Sequence, residues 1–237
     1  MILACDRLAG RSGLTVALSV LVWLLPGAAA AAEIRVRIDD GRRGLSDAVV
    51  SLHSSAAKSA VRPRPARMDQ RGSQFTPRVL TVQAGSAVTF PNSDNIRHNV
   101  YSFSPAKRFE LPLYSGHAAP PLRFDVPGVV ALGCNIHDWM VGYIVVLDTP
   151  YSAITDAGGN VTLQAPAGDY SLQVWHPQLP AGTPVIRRKL SLGAAGASER
   201  ISLRIATAPA VVPVPPSAAD ARVRALQEKL RSLKRDR

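Results

Sequence analysis

Apolar and polar residues alternate along most of this chain with a period of two, the spacing of half-buried β-strands. The stretch "EIRVRID" (33–39) sets Ile34, Val36 and Ile38 on one face, and "DAVVSLH" (47–53) follows after a "DGRRG" turn. Residues 54–73 are polar and basic with two prolines, and they read as a long loop. Six further strands are predicted between residues 78 and 148, at "RVLTVQ", "AVTFPN", "HNVYSF", "LRFDV", "VVALGCN" and "VGYIVVLD". Turn residues in "AGS", "PNSDN" and "VPG" separate them. A second group occupies 151–206, at "YSAIT", "VTLQA", "YSLQVWH", "VIRRKLSL" and "RISLRIA". So many short strands with regular punctuation predict an all-β fold of sandwich or barrel type.

The two ends break this pattern. Residues 1–32 join a charged start (Arg7, Arg11), the twelve-residue apolar run "LTVALSVLVWLL" and "PGAAAAA". This is the layout of a secretory signal peptide, with cleavage after Ala32 or within the alanine run. The apolar run is short for a membrane span of about 20 residues. The expected address is therefore the periplasm. At the other end, 207–237 begins with the Pro-rich linker "TAPAVVPVPPS". A short helix is predicted after it, with Val223, Leu226, Leu230 and Leu233 at helical spacing. That tail carries seven basic residues against three acidic ones.

Charge and cysteine content narrow the function. The chain has a formal net charge of +11, which favours acidic partner proteins or contact with an anionic membrane surface through the basic tail. Basic and aromatic residues are not interleaved, and an exported protein does not meet nucleic acid, so that class is set aside. Loss of the leader removes Cys5 and leaves Cys134 with no partner for a disulfide within the chain. An odd cysteine in an exported protein pairs with another molecule, reacts, or binds a metal.

The surroundings of Cys134 favour metal. "CNIHDWM" (134–140) spaces Cys134, His137 and Met140 three residues apart, and His98 opens a strand 36 residues upstream. One thiolate, two imidazoles and a distant thioether are the donors of a type 1, or blue, copper site. Structural zinc prefers several Cys or His ligands and no thioether. The bland alternative, a buried structural cysteine with core histidines, leaves an unpaired exported thiol unexplained. His53, His117 and His176 read as surface residues.

These residues resemble the cupredoxins, and the short Cys-x-x-His-x-x-Met loop resembles the amicyanin type. The likeness covers roughly 74–148 and extends to "FPNSD", "YSFSPAKRFELPLYSG" and "FDVPGVVALGCNIHDWM", which look like exported cupredoxins labelled methylamine utilization proteins. It implies a Greek-key β-sandwich holding one type 1 copper, with His98, Cys134 and His137 equatorial and Met140 axial. It implies that Asn99 ties the two ligand loops together, and that the protein carries electrons to a redox partner without substrate turnover. Asp138 and Trp139 depart from the usual Pro and apolar residue of such loops. Trp139 reads either as a docking aromatic or as a ring packed over the metal loop. A copper carrier or store, or a structural adhesion module, are the rival functions.

The flanks resemble a second fold. "VRIDDGRRGLSDAVVSL" and "ITDAGGNVTLQAPAGDYSLQVWHP" look like two halves of a transthyretin-like domain, with Gly44 where that pattern has Pro. On this reading 33–53 and 149–206 share one sandwich, and the copper domain is inserted between them. On the alternative, 33–53 supply the first strands of the cupredoxin. Insertion predicts that residues 70–150 fold and bind copper alone.

Overall fold

The computed structural model describes residues 31–116, 120–180, 183 and 185–206. The leader up to residue 30, His117, and the linker and tail from residue 207 lie outside the described residues. Among the described residues the fold is strands throughout, with one short helix at Ser55–Ser59. Each stretch read as a strand carries one. The last is shifted, running Ala197–Ser202 rather than 200–206, and the first begins early, at Ala31. Ala31 and Ala32 pair with Pro166 and Ala165, and Ala32 is buried.

The first and last strand groups meet. One sheet joins Asn160–Pro166, Ala31–Asp39 and Ala197–Ser202; a second joins Ser152–Ile154, Val49–His53, Gly168–Trp175 and Ile186–Leu192. Ile34 lies opposite Leu163 and Val36 opposite Val161. Ile34, Val36 and Ile38 share one core with Val50, Leu52, Leu172 and Val174. This flanking sandwich closes where backbones almost touch. A Cβ on Gly44 would lie 1.8 Å from the Gly158 carbonyl oxygen, so the proline of the resemblance pattern has no room there.

Residues between these groups enclose a second core that includes Met68, Phe90, Val100, Phe124, Val130 and Ile144. The sheets around it are Gly128–Leu132 with Gly142–Leu147 and Val79–Gln83, Leu122–Phe124 with Ser86–Thr89 and Ala66–Arg67, and the pair His98–Ser102 with Phe109–Tyr114. Strand Gly142–Leu147 is buried at every position. Its near-continuous apolar sequence is that of a strand covered on both faces. Ile144 and Val146 enter the inner core, while Tyr143, Val145 and Leu147 pack on Val49 and Trp175 of the flanking sandwich.

Two expectations need correcting. The segment 54–73 is not a free loop. Ser54 caps the helix by accepting from the Ala57 N–H at 3.0 Å, and Ala66–Arg67 and Asp69–Gln70 are strands. Met68 is fully buried in the inner core. Single apolar residues among arginines and prolines leave no period to read. A fragment beginning at residue 70 would lack Met68 and the Ala66–Arg67 strand, so it must begin before Arg62, whose N–H already bonds Gln83 of this unit. Strand Phe109–Tyr114 escapes the pattern because Pro112 interrupts it; proline within a sheet is confined to edges and bulges.

His176 is the other correction: it is buried, not exposed. Its Nε2–H donates to the Ser46 carbonyl at 2.9 Å, and its Nδ1 accepts from the Gln178 N–H at 3.1 Å. Only a neutral ring makes both bonds, and burial lowers its pKa below the ordinary histidine value. A depressed folded-state pKa means that the unfolded chain takes up the proton first. Stability is therefore full above about pH 6.5, the free value, and falls as pH drops through that point. Chemical denaturation between pH 7 and pH 5 should show this loss, and His176→Gln should be less stable at pH 7 yet flatter over the window.

Candidate metal centre

Two loops and one strand end build the site. His98 starts strand His98–Ser102, and Cys134 lies just beyond strand Gly128–Leu132. The Tyr101 and Gly133 backbones exchange hydrogen bonds of 3.1 Å in both directions, and this holds the two segments together. The Asn99 side-chain oxygen accepts from the Asn135 N–H at 2.7 Å, bridging the same two segments. The chain then turns back. The Met140 N–H donates to the His137 carbonyl at 2.9 Å before strand Gly142–Leu147 begins.

The result is a convergent donor set. Ligand atoms of His98, Cys134 and His137 all lie within 4.8 Å of one another. Cys134 Sγ stands 4.0 Å from His98 Nδ1, a gap that one ion bonded to each at about 2.0–2.3 Å can span. His98, Cys134 and Met140 are buried, and Met140 shares the core that contains Cys134. His137 Nδ1 is buried with no hydrogen-bond partner. Orphaned ring nitrogens are rare in native folds, and a metal at the centre of these atoms would give this one its partner. The residues present therefore fit a copper ion.

Sequence reasoning missed Asp94. His98 Nε2 lies 2.8 Å from Asp94 Oδ2, so Nε2–H donates to the carboxylate and the Nδ1 lone pair faces Cys134. Asp94 is itself held by the Gly72 N–H at 2.6 Å and the Ser73 N–H at 2.9 Å. Burial pushes its pKa up, but those two N–H groups and His98 outweigh burial and leave it below the ordinary value. Asn92, also buried, anchors the loop by donating to the Ile96 and Tyr114 carbonyls, each at 2.8 Å. The one signal in the chain is an acidic residue four positions before a candidate ligand. Ligating histidines usually donate their second N–H to such a group. Asp94→Asn keeps the volume but removes the charge, so it should raise the reduction potential of the copper-loaded protein in cyclic voltammetry.

Trp139 lies against His137. Its ring centroid lies 5.1 Å from that of His137, and it is 69% exposed. Its plane is tilted by 60° to the His137 ring, and the indole faces solvent. Leu113 and Ile136, each about half exposed, line a shallow pocket nearby.

No protein-family model matches the chain. A stretch of 74 residues is 35% identical to amicyanin-alpha of Methylorubrum extorquens, covering 30% of this chain and 61% of that protein. The chain thus spans about three-fifths of the curated relative. Among solved structures, a purple cupredoxin from Nitrosopumilus maritimus aligns with 26% identity over 35% of this chain and 99% of its own, with a TM-score of 0.32. A copper-containing nitrite reductase from Thermus scotoductus aligns with 27% identity over 37% of this chain and 23% of its own, with a TM-score of 0.34. The sequence likeness to amicyanin-alpha supports a cupredoxin domain in this chain.

Proposed function

We propose that this chain is an exported type 1 copper protein that passes single electrons between redox partners in the periplasm. The observation that carries the reading is the orphaned His137 Nδ1, converging with His98 Nδ1 and Cys134 Sγ. When bound, copper supplies a one-electron couple. Cys134, His98 and His137 would hold it, with the Met140 thioether as a further, weaker donor. Asp94 and Asn99 fix the ligand loops in advance, so the donors need not rearrange as the charge on the metal changes. His137, capped by the exposed Trp139, is the exit to a partner, and the net charge of +11 favours an acidic one. The copper domain is inserted between residues 53 and 149 of a flanking sandwich of transthyretin-like type.

An optically monitored redox titration of the copper-loaded protein tests this function. Electron transfer predicts repeated bleaching and recovery of the visible band with the metal retained after desalting of the reduced form. Loss of most of the copper on reduction would favour a carrier instead. Met140→Leu removes only the weak thioether donor. It should keep the colour and raise the potential, as read by voltammetry.

A further inference from the structure

A second polar cluster lies at the other end of strand Gly142–Leu147 from the Cys134–Met140 loop. It occupies the seam between the two sandwiches. His53 Nδ1 lies 2.8 Å from the Asp148 carboxylate, and His53 Nε2 lies 2.8 Å from Ser51 Oγ. The directions of these bonds are fixed by chemistry. A carboxylate accepts, so Nδ1–H donates to Asp148. In the neutral ring Nε2 is then the acceptor, and the Ser51 hydroxyl donates to it. Ser51 Oγ is left with free lone pairs and a base in contact with its proton. This is the arrangement by which a serine is activated as a nucleophile, with a third group orienting the base.

The surroundings suit that role. Ser51, His53 and Asp148 line a groove of about 350 Å³ together with Gln173, Trp175 and Arg187. Ser51 pairs with Gln173 across one strand boundary, and Gln173 pairs with Arg187 across the next. The three therefore stand in one row on the same face of the sheet, beside the nucleophile. Gln173 and Arg187 bring side-chain N–H donors to the lining of the same groove. Backbone N–H groups of strand Val49–His53 pair with the neighbouring strand instead, so these side chains are the donors at hand. Trp175 and Val129 give the groove an apolar wall. Between sheets otherwise joined by Val49, Val145 and Leu147, such polar groups are costly to bury unless they are used or mutually bonded.

We propose that this groove is an acyl-transfer site that hydrolyses small carboxylic esters. Ser51 Oγ bonds the acyl carbon as its proton passes to His53 Nε2. The ester C–O bond breaks, and the departing alkoxide takes that proton. Water then gives a proton to His53 and its oxygen to the acyl carbon, the bond to Ser51 breaks, and the proton returns to Oγ. Ester and water give acid and alcohol. The site does not depend on the copper reading.

The test uses the full mature, copper-loaded chain with p-nitrophenyl acetate and butyrate. Saturable release of nitrophenol is expected, falling at least 100-fold in Ser51→Ala and in His53→Gln while both variants melt as cooperatively as the wild type. A fluorophosphonate probe should label the wild type at Ser51, located by peptide mass spectrometry. If the wild type is no faster than Ser51→Ala, or the probe labels another residue or none, the proposal is overturned, and the three side chains act only as a tether between the sandwiches. Should both variants fail to fold, absence of probe label at Ser51 in the wild type overturns it alone.

Discussion

Replacing Cys134 with serine should remove the visible absorption of the copper-loaded protein entirely. The expected colour arises from electron transfer out of a thiolate sulfur into copper(II), so it depends on one atom. Serine keeps the size of the side chain, but its hydroxyl is a hard donor that stays protonated near neutral pH and has no comparable transition. His98 and His137 remain, so the variant is expected to bind some copper weakly and without colour. Cys134 is the free cysteine among the described residues, and it is buried; no other described thiol can stand in. Absorption spectra with copper quantified on the same samples make the comparison. A variant that keeps an intense visible band would remove Cys134 from the ligand set.

Gly159→Ala should be a severely damaging single-methyl change in the flanking sandwich, because it combines a left-handed backbone with a backbone clash. Gly159 sits at φ +79°, and an added Cβ would lie 2.2 Å from the Ile38 carbonyl oxygen. The Gly159 carbonyl also accepts from the Ile38 N–H at 2.7 Å, so the two backbones cannot drift apart without losing that bond. The left-handed backbone alone costs alanine roughly 1–2 kcal/mol, and the clash raises the total to about 3 kcal/mol or more. In a chain of this size that lowers Tm by about 10 °C. Gly41→Ala separates the two contributions. Gly41 has φ +87° but nothing within 4 Å of an added Cβ, so it should lose only the backbone part. Equal melting shifts for the two variants would show that the close approach of Gly159 to Ile38 does not constrain the fold.

Much of this architecture could be read from the chain because alternation maps directly onto one-sided burial. "EIRVRID" buries Ile34, Val36 and Ile38 and leaves Arg35 and Arg37 outside. The Cys134–Met140 loop stood out as a candidate site for a different reason: three donors of unlike type at fixed spacing suit few chemistries besides metal binding. What stayed hidden depends on contacts distant in sequence. Asp94 is an ordinary loop residue until Gly72 and Ser73 fold against it. Met68 is one apolar residue in a basic stretch, with no neighbour to give it a period. His176 lies at a strand end, a place where exposure is the usual outcome, yet the Ser46 carbonyl covers it. Ser51 and His53 share a strand face, but Asp148, 95 residues beyond His53, completes their chain of hydrogen bonds only because the two sandwiches meet there.

X-ray absorption at the copper edge is the most direct test of the central claim, that His98, Cys134 and His137 hold one copper in a geometry shared by both oxidation states. The account predicts one short sulfur and two nitrogen scatterers per copper, with distances that scarcely change when the sample is reduced. A first shell without sulfur, or one that gains or loses a donor on reduction, would contradict it.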